Sequence, residues 1–141
     1  MLKGVPKVVS PELLKVLSEM GHGDEIVLAD SNYPAASNAN LLVRADGVSM
    51  PELLDAVLQL IPLDSYVDSP VVLMQPVGDD ELPEIWGVYH SVIENRAGSD
   101  ISVEYIERSA FYERGKKAYA IVATGEGAIY ANIIIKKGVV K

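Results

Sequence analysis

The sequence predicts an α/β fold, a mostly parallel sheet covered by helices on both faces. Three observations carry this expectation. Segments with apolar residues at helical spacing alternate with short, continuously apolar runs that read as buried strands. Helix-start signatures recur, at Ser10-Pro11-Glu12 and Ser49-Met50-Pro51-Glu52. No linker, repeat or low-complexity tract interrupts the 141 residues, a length that suits one domain over 1–141.

Ser10 caps the first helix, Pro11 fits its first position and Glu12 favours the positive end of the helix dipole. Leu13, Leu14, Leu17 and Met20 share one face, and Gly21 is expected to stop the helix in a left-handed cap. Residues 26–29 form a buried strand that delivers Asp30 at its C-terminal end. A loop rich in Ser, Asn, Ala and Pro follows over 31–40, then a second short strand at 41–43. Ser49 and Glu52 carry a capping-box signature. Met50, Leu53, Leu54, Val57, Leu58 and Ile61 supply that helix's buried stripe, and Pro62 ends it. A strand over 71–77 and a helix over 81–97 follow, the helix turning Ile85, Val88, Tyr89 and Val92 inward and stopping at Gly98. Ile101, Val103 and Tyr105 alternate like a half-buried strand, and residues 108–117 form a short helix or turn. Residues 118–124 and 129–136 are the last two strands, separated by a turn at Gly125-Glu126-Gly127. So tight a turn predicts that these two pair antiparallel, which makes the sheet mixed.

Composition narrows the function. Hydrophobic residues make up 49% and charged residues 23%, ordinary globular values. Twenty acidic against twelve basic residues give a net charge of −8. That balance opposes binding to nucleic acid or to an anionic membrane surface. Cysteine is absent, which excludes disulfides, thiolate metal sites and Cys nucleophiles. Two histidines, His22 and His90, are too few for a His-rich metal site. The first ten residues lack the apolar core of a signal peptide, and no apolar run approaches the roughly 18–20 residues of a membrane span. The expectation is a soluble cytoplasmic protein.

Four constellations carry candidate chemistry. In Gly21-His22-Gly23-Asp24-Glu25 an imidazole sits on bare backbone, and histidine as a residue type moves protons near neutral pH. Asp24 or Glu25 can orient it; the plainer alternative is a capped helix end with an exposed His22. Asp30-Ser31-Asn32-Tyr33 sets a carboxylate, hydroxyl, amide and phenol at a strand end, as sugar recognition requires, or forms an Asx turn before Pro34. Arg108 opens a segment with Phe111, Tyr112, Glu113 and Arg114, offering a guanidinium fork to ligand oxygens, or a helix start with an intrahelical Glu–Arg network. Tyr130 and Asn132 are two apart on a strand and point to one face, toward a partner or toward water. Asp79-Asp80 reads as a solvated turn, His90 as a surface or structural residue, and Trp86 and Tyr89 as core.

The segments LLKVLSEMGHGDEIVLAD (13–30), SNYPA, RADG, ERSAFYERGKKAYAIVATGE and YANIIIKKG resemble, in collinear order, the RbsD/FucU family of small cytoplasmic sugar mutarotases. The resemblance implies a three-layer α/β/α sandwich and an isomerase that needs no cofactor or metal. It implies His22 as proton donor and Asp30, Arg108, Tyr130 and Asn132 as sugar-binding residues. Arg108 stands where the ribose branch carries His and the fucose branch Arg, which points to L-fucose anomers as substrate. Asn32 departs from the His often found there in the fucose branch. Two further readings stand beside it: a D-ribose pyranase, and a non-catalytic monosaccharide-binding accessory of sugar uptake. The second proton-transfer group is open between Tyr130 and a water. The family assembles into rings, commonly decamers, so the expected partners are a monosaccharide and copies of the chain itself.

Overall fold

The computed structural model describes residues 1–141. Helix α1 (Pro11–Glu19) leads into β1 (Glu25–Ala29), the one-turn helix α2 (Ala35–Asn38) and β2 (Leu42–Ala45). Helix α3 (Met50–Leu60), β3 (Val71–Met74), α4 (Ile85–Ala97) and β4 (Val103–Ile106) follow. Helix α5 (Arg108–Lys117), β5 (Ala120–Thr124) and β6 (Ile133–Lys136) complete the fold. The strands form one sheet in the order β2-β5-β1-β6-β3-β4. Every pairing is parallel except those of β6, which runs antiparallel between β1 and β3.

Strand side chains alternate between the two faces of the sheet. Ile26, Leu28, Val71, Leu73, Ile133 and Ile135 join α1, α3 and α4 in the larger core. Val27, Val72, Ile121 and Ile134 face the other way, onto Phe111 of α5 and Ala35 of α2. The expected three-layer α/β/α sandwich with a mixed, mostly parallel sheet is therefore present. Helices on both faces explain why the central strands read as continuous apolar runs. No helix is long and apolar enough to cross a membrane.

Several local expectations are corrected. The C-terminal hairpin is absent: β1 lies between β5 and β6, and β6 begins only at Ile133, so residues 125–132 are a long excursion. Gly125 passes so close to the Asp46 carbonyl that a Cβ would overlap it. Helix α1 ends at Glu19 because buried Met20 is already extended; the left-handed glycine is Gly23 (φ +86°), not Gly21. Ser49 makes no side-chain cap on α3. Glu126 supplies the bond instead, its Oε1 accepting the Met50 N–H at 3.0 Å. Helix α4 starts past Pro83, since the residue before a proline disfavours helical backbone. Trp86, Tyr89 and Ile93 form its buried face while Val88 is exposed, because two apolar stripes share helical spacing and the one with the large aromatics is the one buried. Strand β3 stops at Met74, ahead of Pro76.

One packing detail is directly testable. Tyr33 is buried, its hydroxyl has no hydrogen-bond partner, and burial pushes the phenol up to about 12. It lies against Gly115 of α5, where a Cβ would overlap the hydroxyl oxygen. Tyr33→Phe removes an unsatisfied buried group, so chemical denaturation should show a gain of about 1 kcal/mol or more. Gly115→Ala should destabilise the Tyr33 protein and be tolerated once Tyr33→Phe is also present.

Candidate active site

Open α/β sheets place their sites at the carboxyl edge of the parallel strands. A cavity of about 310 Å³ lies at that edge, within the size range of small-molecule sites. Asp30 follows β1, Arg108 opens α5 after β4, and Met74 closes β3; all three line the cavity. Because β6 runs the opposite way, the residues just before it reach the same edge. Tyr130 and Asn132 join the lining there, as do Asp80 and Tyr112. Four of the five site residues expected from the sequence thus share one cavity. Strand alternation is not the reason for Tyr130 and Asn132, since both precede β6 and Tyr130 adopts a left-handed backbone (φ +52°).

Asp30 and Asn132, both buried, are joined directly. The Asp30 N–H donates to Asn132 Oδ1 at 2.8 Å. The Asp30 carboxylate accepts the Asn32 N–H at 3.0 Å and the Ala131 N–H at 3.2 Å. Burial pushes this carboxyl above its ordinary value, and the backbone donors pull against that shift. Two aromatic donors of α4 hold the opposing backbone: Trp86 Nε1–H on the Tyr130 carbonyl at 3.0 Å, and the Tyr89 hydroxyl on the Ala131 carbonyl at 2.6 Å. Arg108 is exposed and pairs with no carboxylate of its own chain, which leaves its planar fork for ligand oxygens. In place of the expected Glu113–Arg114 network, Arg114 ties α5 to β1 and β4 while Glu113 pairs within α5. Arg114 binds Glu25 at 2.6 Å and Glu104 at 3.5 Å, and Glu113 binds Lys116 at 3.1 Å.

The fifth residue, His22, lies elsewhere. It precedes β1 at the amino edge of the parallel strands, with its side chain 46% exposed. The length of β1, roughly 16 Å at ~3.3 Å per residue, separates it from Asp30. Proton transfer needs about 2.6–3.2 Å, so one monosaccharide cannot engage both within a protomer. His22 Nε2 sits 3.0 Å from Asp64 Oδ1, and its ring packs on Tyr66 with centroids 5.4 Å apart. Asp64 is the orienting carboxylate, in place of Asp24 or Glu25. Asp24 accepts the Gly21 N–H at 2.7 Å, and Glu25 is taken by Arg114. The Tyr66 N–H on Asp64 Oδ1, aided by His22, holds the Asp64 carboxyl below its ordinary value against the effect of burial.

Sequence reasoning misses Asp64 and Asp80. No spacing rule links Asp64 to His22; the Leu63–Lys137 bridge beside β6 brings it there. Asp80 reads as a solvated turn until the fold shows the Tyr130 hydroxyl donating to it at 2.5 Å. His90 is exposed, bonds the Tyr105 hydroxyl at 3.2 Å and lies outside the cavity.

Comparison with known proteins gives this geometry a context. Residues 3–140 match the profile of the RbsD / FucU transport protein family. The chain belongs to this family. Among RbsD/FucU proteins, the fucose mutarotase of Homo sapiens is 52% identical over 145 aligned residues, spanning 98% of this chain and 94% of the relative. The L-fucose mutarotase of Actinobacillus pleuropneumoniae is 51% identical, spanning 99% and 97%. A crystal structure of the Streptococcus pneumoniae fucose mutarotase in complex with L-fucose superposes with a TM-score of 0.94 at 60% identity, covering 99% of this chain and 100% of the other.

Asp64 yields a pH prediction. Its folded value lies below the unfolded one, so its contribution to stability is present above the unfolded carboxyl value, about 3.9, and is lost as pH falls through the lower folded value. Asp64→Asn should lower stability at neutral pH and flatten the acid decline below about pH 4, as urea denaturation across that range would read.

Proposed function

We infer that this chain is an L-fucose mutarotase, interconverting the α and β anomers of its sugar. One observation carries the reading: Asp30, Arg108, Tyr130 and Asn132 converge on a single cavity of about 310 Å³, in a chain whose near relatives are fucose mutarotases. Mutarotation opens a hemiacetal ring and recloses it on the other face. A donor protonates the ring oxygen while an acceptor takes the anomeric hydroxyl proton, and the roles reverse on closure. Breaking and re-forming the hemiacetal C–O bond needs only proton transfers from the protein, which an imidazole, a phenol and fixed hydrogen-bond partners can manage. His22 is the proton donor, oriented by Asp64. Asp30, Arg108 and Asn132 hold sugar hydroxyls, and Tyr130 takes the anomeric proton.

The separation of His22 from the cavity makes this reading an oligomeric one. His22 serves the cavity of a partner subunit, and each copy gives its His22–Asp64 pair to a neighbour. Tyr66, 68% exposed beside His22, is the aromatic surface such a contact covers. A closed ring satisfies every site equally, and the decamer implied by the family resemblance is one such ring. A cytoplasmic location goes with this reading.

Saturation-transfer NMR tests the activity. Anomer exchange should accelerate most for L-fucose among L-fucose, D-galactose and D-ribose. Fastest exchange of D-ribose would favour a pyranase, and sugar binding by calorimetry without faster exchange would favour a transport accessory. His22→Ala and Arg108→Ala should each lose about 10²-fold or more in rate. Refolded together, the two variants should regain activity, because some contacts then pair an intact His22 with an intact cavity. Failure of mixed assemblies to regain activity would sink the shared site.

A further inference from the structure

We propose that Asp80 is the positioning residue of Tyr130 and the terminal acceptor of its proton, so that the second proton-transfer group is a Tyr130–Asp80 pair. The proposal rests on the mutarotase reading and extends it to a residue that faces the cavity from outside the helices and strands. A tyrosine hydroxyl holds its proton at neutral pH and cannot accept another without handing its own on. The Tyr130 hydroxyl donates to Asp80 Oδ2 at 2.5 Å, within the range of charge-assisted O–H···O⁻ bonds. It also accepts the Val77 N–H at 3.2 Å. One donor and one lone pair are thereby committed, and the remaining lone pair is available to the cavity that Tyr130 lines.

The backbone supports the same assignment. Tyr130 is the only residue other than glycine with positive φ, a conformation that persists only where its surroundings enforce it. Trp86 Nε1–H grips its carbonyl, and Asp80 and Val77 grip its hydroxyl from the segment after β3. In the forward step the His22 given by the neighbouring copy passes its proton to the ring oxygen and the C1–O5 bond breaks. The anomeric O–H proton passes to Tyr130 Oη as the Tyr130 proton passes to Asp80 Oδ2, leaving a C1 aldehyde, a neutral imidazole and a protonated Asp80. Rotation about C1–C2 turns the other face of the aldehyde to the C5 hydroxyl. Every proton then retraces its path as the ring recloses.

Asp80→Asn separates this role from a merely structural one. Asparagine keeps the size of the side chain and can still accept the Tyr130 hydrogen bond, but it cannot take the proton. L-fucose exchange should fall by about tenfold or more in Asp80→Asn, with calorimetric affinity for L-fucose unchanged. Asp80→Glu should recover part of the rate, and Asp79→Asn should match the parent. In a Tyr130→Phe background, Asp80→Asn should cause no further loss, because it acts through the missing hydroxyl. Full exchange in Asp80→Asn, or an equal loss with and without the Tyr130 hydroxyl, overturns the proposal alone. Absence of accelerated exchange in the parent chain overturns the mutarotase reading and this proposal with it.

Discussion

The Asp30 N–H donates to the side-chain carbonyl of Asn132, and the Ala131 N–H returns to the Asp30 carboxylate. This reciprocal pair clasps the end of β1 to the approach of β6, across 102 residues of sequence. It depends on the direction of one strand. Were β6 parallel to its neighbours, the residues before it would lie at the other edge of the sheet, and Asp30 would lose Asn132 and Ala131 and keep only local partners such as the Asn32 N–H. The reversed strand lets a buried carboxylate find backbone donors while keeping an edge open to the cavity. Burial raises that carboxyl and the donors lower it.

The clasp is braced on every side. Thr124 Oγ1 donates to the Ala29 carbonyl at 2.7 Å, tying β5 to β1 just before Asp30. Glu126 spans the start of α3 and the Ala128 N–H with its two oxygens, and its carbonyl accepts the Ser31 N–H at 2.9 Å. Trp86 and Tyr89 reach up from α4 to the carbonyls of residues 130 and 131. The excursion over 125–132 therefore has loop conformation but fixed anchorage. A rigid support of this kind is what a site needs when its groups must hold sub-ångström positions.

The fold class was legible because burial on both faces leaves a plain trace, as at residues 26–29 and 71–74. Asp30 and Arg108 were legible too, since each stands at a strand end where open sheets gather their sites. Pairing was not legible. Nothing in Gly125-Glu126-Gly127 distinguishes a two-strand hairpin from the first residues of an excursion, and the partner of β6 is decided by contacts with β1 and β3 far away in sequence. The same limit hid the orienting groups. Asp64 meets His22 across 42 residues and Asp80 meets Tyr130 across 50, and no local pattern records either. Helix α4 shows a subtler limit, where two apolar stripes of equal period compete and only packing volume selects Trp86, Tyr89 and Ile93.

The position of β6 also shapes how the molecule is made. It is translated after every strand it joins, and it fills the slot between β1 and β3. Until it arrives, those two buried, apolar strands each present an unpaired edge, the exposure that invites association between nascent chains. The sheet cannot close gradually from one end. Its two parts, β2-β5-β1 and β3-β4, wait for a central strand, and their joining is a late, long-range step of the kind that slows folding. The reversal that builds the cavity thus leaves a half-finished chain with its most adhesive surface at the middle of the sheet.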